Sequence, residues 1–278
     1  MPAGLRSSVE AIPGTPLPHG ILGAPCTTVT DITEATLHEL NGVQWMGLGC
    51  CPVRDWEDPC ATLPPTPPVE KGYCRPETEH ADPITVYAGA ECSALGWSYE
   101  EARAHAEASL LLGEQQALEA AWWRTKLAVE AVDLTPAAGP VHVAQGVAAL
   151  EACMGQRYGG LGTLHVPTDV AAILGCCNVL REDPASGALR TLVGNCAVLG
   201  AGYSAVGTGP GNVPAEPGTA WVYMTGPVEI RRGPAMVIPD KPGPSVDYRT
   251  NDRRVLAERT FVVSTTCTVC AIQVVTTP

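Results

Sequence analysis

The chain has 278 residues, of which 45% are hydrophobic, and a formal net charge of −12 at pH 7. The apolar share excludes wholesale disorder. Lysine occurs only at positions 71, 126 and 241, and no basic run exceeds two residues, which excludes ordinary tracking of a nucleic-acid backbone.

Residues 1–30 read as an extended arm punctuated by Pro2, Pro13, Pro16, Pro18 and Pro25. The stretch MPAGLRSSVEAIPGTPLPHG holds no apolar run of signal-peptide length, so folding in the cytoplasm is expected. Residues 31–45 suit a short helix capped by Asp31, with Glu34 at the third position and Asn41-Gly42 as the stop. Residues 46–83 carry eight prolines, from Pro52 to Pro83, in a loop too long and irregular for a compact monomer. It is expected to be ordered by partners or not at all. Residues 84–92 (ITVYAGAEC) read as a strand.

The strongest local signal follows. Ser98 and Glu101 form a capping box, and a helical pattern then runs from Tyr99 to about Glu130 with one glycine (Gly113) and no proline. A 30-residue helix would span about 45 Å. After the break around Pro136, residues 142–157 read as a second helix and Leu164–Val166 as a short strand. Pro167 opens a third helix, TDVAAILGCC. Residues 189–199 are strand-like with a Gly194-Asn195 turn, and 200–219 form a Gly/Pro-rich loop. The tail is β-rich, with strands at 221–225, 228–231, 235–238, 254–263 and 269–275. The longest apolar run, Val170–Cys177, is too short to span a bilayer, so no membrane partner is expected.

Few residues suggest chemistry. The pair Cys267 and Cys270 has C-x-x-C spacing, but it lies in a strand, where residues three apart face opposite sides. Gly207, Gly209 and Gly211 lack the flanking strand and helix of a dinucleotide fingerprint. The six histidines are scattered without ligand spacing. No catalytic residue, cofactor or metal is expected. The twelve cysteines are many for a cytoplasmic chain. Those of the second half suit buried small hydrophobes. Cys50, Cys51, Cys60 and Cys74, in the polar proline-rich arm, are candidates for disulfides, zinc ligation or free thiols. Trp122 and Trp123 point about 100° apart on a helix, so one suits the core and the other a partner, unless the apolar face is wide. Arg231 and Arg232 suit carboxylates of neighbouring subunits or of the same chain.

The order of these pieces resembles the HK97-type major capsid proteins of tailed phages, in particular compact forms from phages of actinobacteria. The pieces are the N-terminal arm, the loop at 46–83, the strand ITVYAGAEC and the helix with LLLGEQQALEAAWW. The tail phrases WVYMTGPVEIRR and TNDRRVLAERTFVV complete the list. The resemblance implies an α+β fold with an N-arm (1–45) and an E-loop (46–83). It also implies a peripheral domain with a spine helix (84–134 and 221–278) and an axial domain (135–220). The loop at 200–219 would point to the capsomer centre.

The resemblance further implies a non-enzymatic shell subunit of hexamers and pentamers, in the virion, around double-stranded DNA without sequence-specific contacts. A separate scaffolding or decoration protein is a conceivable partner. The lysine–asparagine cross-link of one family member would need Lys71, with Asn251 as a conceivable partner, and no catalytic glutamate is identifiable, so it is not expected. Cys50, Cys51, Cys60 and Cys74 would then be able to staple subunits outside the reducing cell. Trp122, Trp123, Arg231 and Arg232 are the candidate inter-subunit packing residues. Alternatives are an encapsulin-like compartment shell, a minor virion protein, or a cysteine-rich metal-binding protein.

Overall fold

The computed structural model describes residues 12–49, 51, 53–55, 71–176, 178–266 and 268–276. In chain order, β1 (Thr28–Asp31) leads through a 3-10 helix (Glu34–Asn41) to β2 (Val43–Met46), β3 (Thr78–Ala81) and β4 (Pro83–Ser93). The long helix follows. It comprises α1 (Tyr99–Trp122), a π-helical turn (Trp123–Leu127) and a closing turn α2 (Ala128–Glu130). Next come β5 (Val132–Asp133), α3 (Val143–Arg157), β6 (Thr163–Pro167) and α4 (Thr168–Cys176). Then follow β7 (Arg181–Glu182), β8 (Leu189–Arg190), β9 (Cys196–Gly200) and α5 (Ala201–Val206). The tail holds β10 (Thr219–Thr225), β11 (Glu229–Arg232), β12 (Met236–Ile238), β13 (Val246–Asp247), β14 (Asp252–Ser264) and β15 (Val269–Val275).

The long helix starts where its capping box predicts. Ser98 Oγ accepts from the Glu101 amide at 3.2 Å, and Glu101 Oε2 accepts from the Ser98 amide at 2.8 Å. These bonds hold the Glu101 carboxyl below its ordinary value, led by the Ser98 backbone donor. Ser98→Ala should lower stability by about 1 kcal/mol, measured by chemical denaturation.

The buried stripe of α1 runs Tyr99, Ala102, Ala106, Leu110, Glu114, Leu118 and Trp122. This spacing of three to four keeps one face inward. The small alanines let the helix lie close on β4 and β14. Those strands pair antiparallel from Pro83 opposite Val262 to Ser93 opposite Asp252. Val86, Ala90, Val255, Ala257, Phe261 and Val263 complete this core. The first sheet runs β1-β11-β14-β12, with β4 and β13 also on β14.

A second sheet, β5-β15-β10-β6-β9-β8-β7, builds the other core with α3 and α4. Val147, Leu150 and Met154 pack there with Leu164, Val222 and Ile272. The residues grouped from sequence as 221–278 are therefore split between sheets. Strands β10 and β15 pair with each other and lie in the second sheet, and only β11 to β14 join the long helix. Within this tail the chain changes sheet between β10 and β11, at Gly226-Pro227, and again between β14 and β15. The crossings touch: a side chain on Gly226 would meet Thr266 Oγ1 at 2.1 Å, so the position tolerates only glycine.

Three local expectations change. The residue 31–45 segment is a 3-10 helix capped by Thr33, whose partner is Thr36. Asp31 ends β1 instead and holds Arg232. The loop at 200–219 contains α5, closed by Gly207 in the left-handed region (φ 59°). The N-terminal arm is seated on its own molecule from about residue 17 onwards. Ile21 is fully buried, and β1 pairs parallel with β11.

Candidate assembly interface and the clamp beneath it

Two segments stand outside the cores and are anchored by named side chains. The first is the ribbon of β2 and β3, which pair from Val43 opposite Ala81 to Met46 opposite Thr78. A two-stranded ribbon is at best marginally stable alone. Its root is fixed to the long helix by Lys126, which reaches Glu79 at 3.7 Å and Glu130 at 2.6 Å. Gly49 also packs on Tyr158 at the end of α3. Beyond the root the apolar side chains face solvent: Met46 is 70% exposed, Leu48 81% and Tyr73 99%. A disulfide between Cys51 and Cys74, Cα atoms 5.6 Å apart, joins the two limbs of this ribbon within one chain. Cys50 and Cys60 lie outside the described residues.

The second segment is the N-terminal arm, which crosses α1 over two polar side chains. Gln115 Oε1 accepts from the amides of Leu22 (3.2 Å) and Gly23 (3.1 Å), and its Nε2 donates to Leu17 O at 3.0 Å. One turn on, Glu119 Oε1 accepts from the Ile21 amide at 3.0 Å, and Oε2 from the Gly202 amide of α5 at 2.9 Å. Helix, arm and second-sheet helix thus meet at one buried carboxylate. Burial pushes Glu119 up to about 7 against the opposing pull of its two amide donors. A Cβ on Gly20 would meet Gln115 Nε2 at 2.0 Å, so a side chain there would displace Gln115 from the arm.

Sequence reasoning did not single out Gln115 or Glu119. The available signal was two polar residues four apart, beside a largely apolar stripe. Buried Glu and Gln are rare unless partnered.

The tryptophans do not divide between core and surface. Trp122 is 2% exposed and Trp123 0%. The π turn that begins at Trp123 widens the helix there and lets successive rings both face inward. Trp122 meets His165 edge-on at 5.0 Å, and Trp123 meets Tyr203 at 5.1 Å and Tyr223 at 4.5 Å. Trp123 Nε1 and Tyr223 Oη both donate to the Thr208 carbonyl at 2.8 Å. His165 lies in β6 between Tyr203 (3.1 Å) and Thr225 (2.9 Å), and complete burial lowers it to about 3, so it stays neutral. This cluster joins the long helix to the second sheet.

The arginines find carboxylates of the same chain. Arg231 pairs with Glu39 and, at 3.3 Å, with Glu229. Arg232 makes a two-pronged bond to Asp31 at 2.6 and 3.0 Å. Arg259 reaches the buried Glu114 at 2.7 and 2.8 Å. Desolvation raises Glu114, and Arg259 opposes it. A groove of about 230 Å³ between the ribbon root and β11 is lined by Trp45, Pro227, Glu229, Arg231 and Thr266. Its charged members, Glu229 and Arg231, already pair with each other, and the Thr266 hydroxyl is its one buried polar side-chain atom without a partner among the described residues.

The second-half cysteines are not merely small hydrophobes. Cys153 of α3 bridges to Cys270 of β15, and Cys196 of β9 to Cys26 of the arm, with Cα separations of 6.7 and 6.1 Å. Cys270 is thus engaged by Cys153, and Cys267 lies outside the described residues. Among the described residues no group of three or more His, Cys, Asp or Glu could hold a metal ion.

No family profile and no curated protein matches the chain. Solved structures do. A chain of the capsid of the native GTA particle is 15% identical, covers 97% of this chain and 95% of its own, and has a TM-score of 0.53. A chain from Microbacterium phage Oxtober96 is 9% identical over 98% and 95%, with a TM-score of 0.52. One from Mycobacterium phage Che8 is 11% identical over 97% and 96%, also at 0.52. At such identities the likeness is one of fold: the chain shares the mixed α+β fold of these capsid chains, in line with the fold class expected from the order of its elements.

Proposed function

We propose that this chain is a major capsid subunit that assembles with copies of itself into the icosahedral head shell of a tailed phage, around double-stranded DNA. The observation that carries this reading is the ribbon of β2 and β3. It is rooted on a rigid helix, yet it presents Met46, Leu48 and Tyr73 to water. Exposed apolar surface on a projecting ribbon gains burial only against another surface. In the fold shared with the GTA capsid chain, the natural partner is a second copy.

In this reading the first sheet and the long helix form the peripheral part of the subunit. The second sheet, with β10 and β15 included, forms the axial part. Subunits group as hexamers and pentamers, and the role is structural. The acidic balance of −12 suits a wall that lies near DNA without adhering to it. A compartment shell without DNA would share the same contacts and differ in contents. Electron microscopy of the expressed protein tests the proposal. Closed particles are expected, and monomers persisting at high concentration would remove it.

A further inference from the structure

We infer that Cys26 and Cys196 form a redox latch that fixes the N-terminal arm once Gln115 and Glu119 have seated it. The bridge joins residues 170 apart in sequence, with Cα atoms 6.1 Å apart, within bonding reach. Its position is what suggests a latch. The clamp bonds the arm at Leu17, Ile21, Leu22 and Gly23, and the Leu199 amide of β9 donates to His19 O at 2.8 Å. Cys26 follows this seated stretch directly, and Cys196 opens β9 on the same side. The two sulfurs therefore meet only when the arm lies in its clamp.

Cys196 is 5% exposed, and Cys26 is only partly buried. A small-molecule disulfide such as oxidised glutathione is then met first by Cys26. The Cys26 thiolate attacks it, forms a mixed disulfide and releases one glutathione thiolate. The Cys196 thiolate displaces the second glutathione, and the Cys26–Cys196 bond closes. The two cysteines lose two electrons, and the glutathione disulfide gains them. Inside a reducing cell the pair stays as thiols, and the arm is held without a covalent tie, by hydrogen bonds, the packing of Ile21 and Ala24, the β1–β11 pairing and the Asp31–Arg232 ion pair. Outside, it is fixed covalently. The inference concerns the single chain and does not depend on what the chain assembles into.

The test uses the full-length protein, reduced and then treated with oxidised glutathione. Peptide mapping should recover Cys26 linked to Cys196. Amide exchange at Ile21, Leu22 and Gly23 should slow by about tenfold or more on oxidation. Cys26→Ser and Cys196→Ser should each abolish that slowing, while Cys153 and Cys270 still pair and the amides of β14 exchange as before. Two variants guard against one that fails to fold, since Cys26 is the more exposed site. The inference falls if the linked peptide is absent after oxidation. It falls equally if oxidation leaves arm exchange unchanged, or slows it as much in both serine variants.

Discussion

Trp123→Ala should lower the unfolding free energy by about 3–5 kcal/mol, the largest single-residue effect expected in this chain. The ring is fully buried between Tyr203 and Tyr223, so truncation leaves a cavity where helix, α5 and β10 meet. It also removes one of the two donors to the Thr208 carbonyl. For a chain of this size the melting temperature should fall by roughly 10 °C. Trp123→Phe keeps most of the volume and loses only the donor, so it should cost clearly less. Equal melting temperatures for wild type and Trp123→Ala would show that the ring is not packed as described.

Glu119→Ala is the second large effect, and it depends on pH. The substitution strands the buried amides of Ile21 and Gly202, each worth about 1–3 kcal/mol when left without a partner. The wild-type carboxyl titrates in the folded chain at about 7 instead of 4.5, because burial penalises its charge. An acid raised on folding binds its proton more tightly in the folded state. Its contribution to stability is thus fully present below about 4.5 and is lost as pH rises through about 7. The loss is on the order of 2–4 kcal/mol. Wild-type stability should decline across that window, and Glu119→Ala should flatten the decline. The variant should therefore be more damaging at pH 5 than at pH 8. Denaturation curves at both values check this. A damage that grows with pH would reverse the assignment.

Much of the fold was legible because its signals are local. The capping box at Ser98 and Glu101, the uninterrupted helical period after it, and the strand at 84–92 each announce themselves within a dozen residues. What was hidden depends on pairing across the chain. Nothing near Thr28–Asp31 says that its partner is Glu229–Arg232, some 200 residues on. Nothing local says that Cys26 meets Cys196, since cysteine connectivity does not follow from spacing. The sheet to which each tail strand belongs was hidden for a related reason. The strands on either side of Gly226 read alike, yet the chain changes sheet between them.

The tryptophans illustrate a subtler limit. Two adjacent residues on a regular helix diverge by about 100°, and the expected split between core and partner follows from that. The π turn at Trp123–Leu127 breaks the premise, and pattern reading has no signature for it. Of the proposed interface residues, Cys51 and Cys74 are joined within one ribbon, and Arg231 and Arg232 are engaged by carboxylates of their own chain. On the proposed function, the surface that would meet another copy is the apolar run of the ribbon itself.

That surface is where the account is most exposed to experiment. Sedimentation velocity should compare the wild-type chain with the triple variant Met46→Ser, Leu48→Ser, Tyr73→Ser. All three side chains point into water in the isolated subunit, so the variant should keep the wild-type circular dichroism spectrum. The account predicts large, uniform particles for wild type and a folded, slowly sedimenting subunit for the variant. Particles formed equally well by both would contradict it.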